Sequence, residues 1–108
     1  MGTQALVQSA ARTASGSSAA VAGYAGATTL RAQLNVTATA GTSPTLNVVI
    51  EDSLDGSNWN TVGTFAQKTA NGREVINVTT PFADRVRVSW TVAGTTPSFT
   101  FDVLVFDE

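Results

Sequence analysis

Apolar and polar residues alternate strictly along several stretches of this chain, which is the period-two signature of strands with one buried face. Between positions 28 and 40, Leu30, Ala32, Leu34, Val36 and Ala38 share one face, while Arg31, Gln33, Asn35, Thr37 and Thr39 share the other. Leu46, Val48 and Ile50 repeat the pattern, with Asn47 and Glu51 outside. A third run points Val86, Val88, Trp90 and Val92 inward and Arg85, Arg87, Ser89 and Thr91 outward. In the last, Ser98 to Phe106, the inward set is Phe99, Phe101, Val103 and Val105. Its outer face begins polar with Ser98, Thr100 and Asp102, then turns apolar at Leu104 and Phe106. That end is expected to be covered on both sides, by the chain's own N-terminal segment or by another subunit.

Turn chemistry separates these runs. The phrase Ala40-Gly41-Thr42-Ser43-Pro44-Thr45-Leu46 returns 53 positions later as Ala93-Gly94-Thr95-Thr96-Pro97-Ser98-Phe99, and each copy lies between two alternating runs. A short loop carrying Gly and then Pro predicts a hairpin at each copy. Asp52-Ser53-Leu54-Asp55-Gly56 predicts a further turn, followed by a strand with Trp59, Val62 and Phe65 that ends near Ala66. The Asn71-Gly72 step predicts a hairpin into Glu74 to Thr79, and Pro81 marks a break before Arg85. The fold expected for residues 28–108 is therefore all-β: an antiparallel β-sandwich, jelly-roll-like, of about seven to eight strands. Residues 1–27 differ in kind, being rich in Ala, Gly, Ser and Thr, with Leu6, Val7, Val21 and Tyr24 as their sizeable apolar groups. They are read either as an extended arm or as two thin edge strands, roughly 4–12 and 17–24, since small side chains bury too little area to order the segment unaided.

Composition narrows the picture. The 108 residues suit one domain with one core. Only 13% are charged and the net charge is −2, so the surface must be built mainly from Thr, Ser, Asn and Gln, a surface suited to packing against other subunits. Cysteine is absent, which removes disulfides and thiolate metal sites. No basic and apolar leader opens the sequence and no run approaches a membrane span, so a soluble protein made in a cytoplasm is expected, with no membrane partner. Leu6 stands where an N-myristoylation signal needs Ser or Thr.

Candidate chemistry is sparse. With no histidine, the usual general base near neutral pH is missing, and no nucleophile motif surrounds Lys68, the single lysine. An enzyme is not expected, nor is a cofactor or metal. Glu51, Asp52 and Asp55 cluster at one turn, which is the usual habitat of turn-forming acids. The stretch from Glu51 has the glycine of a calcium loop at its sixth place but Val62 where the bidentate glutamate belongs. Arg85 and Arg87 share a strand face and suit cross-strand pairing with Glu74 or another acid; six basic against eight acidic residues leave no nucleic-acid footprint. Trp90 is expected in the core, and Trp59 beside its turn is read as packing, with a sugar platform as the alternative. The sequons at Asn35 and Asn77 fall within expected strands and are read as chance.

Leu30-Arg31-Ala32-Gln33-Leu34-Asn35-Val36-Thr37, the Ala-Gly-Thr-Ser-Pro-Thr-Leu loop, Asp52-Ser53-Leu54-Asp55-Gly56-Ser57-Asn58-Trp59, and Arg85-Val86-Arg87-Val88-Ser89-Trp90 with Gly94-Thr95-Thr96-Pro97-Ser98-Phe99 together resemble small β-sandwich virion proteins of tailed bacteriophages. The resemblance covers most of residues 28–106 and rests on turn and core motifs. It implies a structural protein of the particle, and within that group a capsid decoration protein on the outside of the head lattice, a homotrimer whose partner is the major capsid protein. The partner contacts expected are Leu6, Val7 and Arg12 in the N-terminal segment, with Leu104 and Phe106 as subunit contacts. A tail or head-tail connector component, or a carbohydrate-binding β-sandwich module, is the alternative reading. If the segment is an arm, deleting residues 2–16 should abolish capsid binding and leave a folded domain.

Overall fold

A computed structural model describes residues 2–22, 29–79, 83 and 85–107. Tyr24 and Pro81, singled out above, lie outside the described residues. The described chain is all-β, with six antiparallel strands: β1 (Gly2–Arg12), β2 (Gly16–Ser17), β3 (Leu30–Ser53), β4 (Asn60–Thr64), β5 (Gly72–Val78) and β6 (Arg85–Asp107). β3 and β6 dominate. They run 24 and 23 residues and pair with each other from Leu30↔Asp107 at one end to Ser53↔Arg85 at the other.

This pairing corrects the hairpins expected at the two glycine-proline phrases, and the one expected at Asn71-Gly72 is not formed either, since β4 and β5 each pair with β3 and not with each other. At neither glycine-proline phrase does the chain reverse; β3 and β6 pass straight through, and the two phrases lie against each other around the pair Thr42↔Thr95. The same backbone features that suggested reversal are present, with positive φ at Gly41 (109°), Ser43 (48°), Gly94 (120°) and Thr96 (45°). Here they act as paired irregularities. Register shifts flank Thr42 on both sides, so each long strand bends where the other bends, and the ladder resumes beyond.

The bend folds one continuous sheet into two layers. In one, β1, the second half of β6, the first half of β3 and β5 lie side by side; in the other, β2, the first half of β6, the second half of β3 and β4 do so. Side chains cross between the layers: a Cβ on Gly63 of β4 would lie 2.8 Å from Val78 Cγ2 of β5, and the Trp90 and Phe101 rings meet edge to face at 5.6 Å. Between them sits one core, including Leu30, Leu34, Leu46, Val48, Ile50, Val86, Val88, Phe99, Phe101 and Val103, each at most 1% exposed. The alternation read from the sequence names this set, but Trp90, expected in the core, and Val92 are only half-buried against it, and a third inward residue leaves the row. Ala38 is exposed, because the register shift between Val36 and Ala38 turns it out of the inward row.

The topology is also a repeat. Each half of the chain supplies two short strands and then a long bent one, and the short strands of each half pair with the long strand of the other: β1 and β2 with β6, β4 and β5 with β3. The halves are therefore interleaved, like two arms crossed at Thr42 and Thr95.

Candidate functional site

Two of the expected contact residues are spent inside the domain. β1 is hydrogen-bonded along the edge of β6, and its Leu6 (8% exposed) and Val7 (2%) belong to the shared core. Residues 2–12 thus complete the layer as an edge strand, and a chain without residues 2–16 would lose that strand and two core side chains. Arg12 also turns inward. Its guanidinium lies 5.0 Å over Trp90 and 4.9 Å over Phe101 and donates to the carbonyls of Gln8 (3.0 Å), Ala10 (2.9 Å) and Phe101 (3.3 Å). Partial burial lowers its pKa from the ordinary arginine value.

Leu104 and Phe106 do face out. On the outer face of the β1–β6–β3–β5 layer, Leu104 stands opposite Gln33, and Gln33 opposite Val75; the next row holds Thr3, Phe106 and Arg31. These six side chains line an open groove of about 260 Å³. Phe106 is 37% and Val75 40% exposed, and Arg31 and Arg73 on the same face are exposed with no ion-pair or hydrogen-bond partner among the described residues. The other layer is built differently at the corresponding place. Where the first layer pairs Gln33 with Leu104, the second pairs Arg87 with Glu51 in a 2.8 Å salt bridge. One outer face is closed by charge, and the other is apolar at Leu104, Phe106 and Val75, with Arg31, Arg73 and Asp102 around them.

Leu104 and Phe106 stand out in the sequence as a break in the alternation of their own strand, whereas Val75, Gln33 and Arg31 join them only across strands. The signal was available only in part: β5 continues the outward row because Val75 pairs with Gln33, a register that the Asn71-Gly72 turn does not reveal.

The acidic turn is saturated from within. Asp55 Oδ1 accepts from the backbone N–H of Ser57 and Asn58, each at 2.8 Å, and from Ser53 Oγ, while Oδ2 accepts from Asn58 Nδ2 at 2.7 Å. These bonds hold the Asp55 carboxyl well below the usual carboxylate range, led by those from the Asn58 and Ser57 backbone. Asp52, 8% exposed, receives the Ala83 N–H at 2.8 Å. Glu51 is tied to Arg87, so the three acids serve three separate structural ends. The same turn projects Leu54, which is 85% exposed, and Arg85 donates to its carbonyl at 3.3 Å. Trp59 is half-buried, with the Arg87 guanidinium 4.3 Å from its ring centroid. Lys68 pairs with Glu74, so the arginine pairing expected with Glu74 or another acid is made by Arg87 with Glu51.

No family model and no curated protein sequence matches the chain. Among solved structures, it is similar to the PBSX exported protein XepA, with a TM-score of 0.69 at 14% identity over 97% of this chain. That is a likeness of fold, and this chain spans 36% of the length of XepA. A chitosan-binding module from a Paenibacillus sp. IK-5 chitosanase/glucanase scores 0.44 at 25% identity, over 91% of this chain and 94% of the module. A chain of the T13 IBDV viral particle scores 0.39 at 14% identity, over 95% of this chain and 28% of that one.

Proposed function

We propose that this chain is a structural protein of a bacteriophage particle, and more narrowly a capsid decoration protein that seats on the outside of the head lattice as a homotrimer bound to the major capsid protein. The observation that carries the reading is the outer face of Leu104, Phe106 and Val75 between Arg31 and Arg73, an adhesive surface on a domain whose other outer face is closed by the Arg87–Glu51 pair. The fold shared with an exported protein of PBSX and the sequence resemblance to small phage sandwiches support it. On this reading the protein works by adhesion and catalyses nothing. Repeated weak contacts over a lattice would add up to durable attachment.

The test is add-back. Heads assembled without this chain are mixed with the purified protein and separated by sedimentation. Saturable binding to heads is expected. Tubes formed by the protein alone, or binding only to tails, would place it elsewhere in the particle, and absence of any binding would reject the virion reading.

A further inference from the structure

Among the described residues, three large apolar side chains are exposed: Leu54, Val75 and Phe106. Two of them line the groove, and the third is a knob. We infer that the Leu54–Asp55 turn of one copy of this chain seats in the Leu104–Phe106–Val75 groove of the next, joining copies head to tail.

The knob is built to keep its shape. Ser53 Oγ accepts from Gly56 N at 2.7 Å, Asp55 caps Ser57 and Asn58, and Arg85 holds the Leu54 carbonyl, so the leucine is presented by a turn fixed on both sides. A pre-formed turn loses little entropy on docking. Leu54 at 85% exposure is not in the groove of its own chain, so the knob and the hole are both exposed to a second copy.

Charge agrees with this pairing. The groove contains Arg31 in its lining, and Arg73 stands exposed on the same face, neither with a partner among the described residues. Asp55, next to Leu54, remains ionised at neutral pH because its hydrogen bonds favour the carboxylate, so the knob arrives with a negative charge beside its apolar tip. The same face also carries Asp102, in the row of Asn35 and Arg73, so the positive charge offered to Asp55 is centred on Arg31 in the groove lining. A head-to-tail contact leaves one knob and one groove open at the ends of a row, and it closes into a ring when the rotation per copy permits, three copies being the smallest ring beyond a pair.

The contact uses the outer face on which the virion reading rests and would supply the subunit interface of the proposed homotrimer; purified protein tests it without particles, so failure to self-associate and failure to bind heads are read separately. Leu54→Lys removes the knob and Phe106→Ser opens the groove; both positions are exposed, and unchanged melting temperatures would show that both variants fold. Sedimentation over a concentration series should show association of the native chain and loss of it, by about tenfold or more in dissociation constant, in each variant alone. Mixing the two variants should restore association but stop at a one-to-one pair, because the Phe106→Ser knob fits the Leu54→Lys groove and no second complementary pair remains. A native chain that stays monomeric, either variant associating as well as the native chain, or a mixture that stays monomeric would overturn the inference.

Discussion

Gly41 and Gly94 occupy reciprocal positions where the two long strands cross. A Cβ on Gly41 would lie 2.7 Å from the Thr96 carbonyl oxygen and 2.9 Å from Pro97 Cα; on Gly94 it would lie 2.8 Å from the Ser43 oxygen and 2.9 Å from Pro44 Cα. Each glycine is thus roofed by the proline phrase of the other copy. Both also hold positive φ, at 109° and 120°, where side chains are disfavoured.

Replacing either glycine by alanine therefore meets backbone atoms that cannot swing aside and a backbone conformation that alanine resists. Gly41→Ala and Gly94→Ala should each destabilise the fold by roughly 2–4 kcal/mol, which for a domain of this size lowers the melting temperature by about 10 °C or more. Thermal denaturation followed by circular dichroism measures this. Gly72→Ala is the control, since nothing lies within 4 Å of a Cβ there. Equal melting temperatures for all three would show that the crossing tolerates a methyl group.

The crossing also shows where the sequence stops being readable. Faces were legible because Leu46, Val48, Ile50, Val86, Val88, Phe99, Phe101 and Val103 follow a period of two, and a residue's side of the sheet depends on local geometry alone. Connectivity was not. Gly41 and Pro44 specify a local departure from extended backbone, and the same departure serves a hairpin or a bend; the choice is made by a partner phrase 53 positions away, whose pairing no local pattern encodes. The repetition of that phrase was the clue to the pairing. The candidate groove was half legible for a similar reason: Leu104 and Phe106 break the alternation of their own strand, while Val75 and Arg31 join them only through cross-strand register.

Arg12 closes the far end of β1 by donating to three carbonyls and lying over two aromatic rings. Register shifts between Ala5 and Val7, and between Val7 and Ala10, loosen the strand just before it, so the guanidinium substitutes for missing ladder bonds. Arg12→Lys keeps the charge but loses the planar fork and should cost about 1–2 kcal/mol; Arg12→Ala should cost somewhat more. Hydrogen exchange gives the sharper reading. Amides of β1 should exchange faster in Arg12→Lys while those of the β3–β6 ladder, apart from the edge shared with β1, hold their protection. Uniform loss across the domain would mean that Arg12 supports the whole core.

Acid should weaken the 53–58 turn in a defined direction. The Asp55 carboxyl has a folded pKa below its unfolded one, so its contribution is complete above the unfolded value, about 3.9, and is lost as the pH falls from there through the folded value. In Asp55→Asn an amide replaces the carboxylate, and Asn58 Nδ2, which donates to Oδ2 in the native turn, meets a nitrogen or loses a charged acceptor. The variant should be less stable than the native chain at neutral pH, and the difference should shrink as the solution is acidified. Melting curves taken from neutral pH downward check both parts. A gap that stays constant with pH would mean that the charge on Asp55 is not what the turn uses.

Interleaving makes a prediction about the chain as a whole. A break in the exposed turn at Gly56 separates β1, β2 and β3 from β4, β5 and β6, and each set of short strands then lacks the long strand it pairs with. Neither fragment retains a closed core, because Leu30, Leu34, Leu46, Val48 and Ile50 lie on one and Val86, Val88, Phe99, Phe101 and Val103 on the other. Each fragment alone should therefore be unfolded or aggregated, and mixing the two should restore the native circular dichroism with one-to-one stoichiometry. The rate of recovery should depend on concentration, since β3 must meet β6 between molecules before any short strand has an edge to join. Independent folding of either fragment into a stable monomer would show that its short strands can turn back onto their own long strand, and the crossed pairing of Thr42 with Thr95 would then be a product of linkage and not a requirement of the fold.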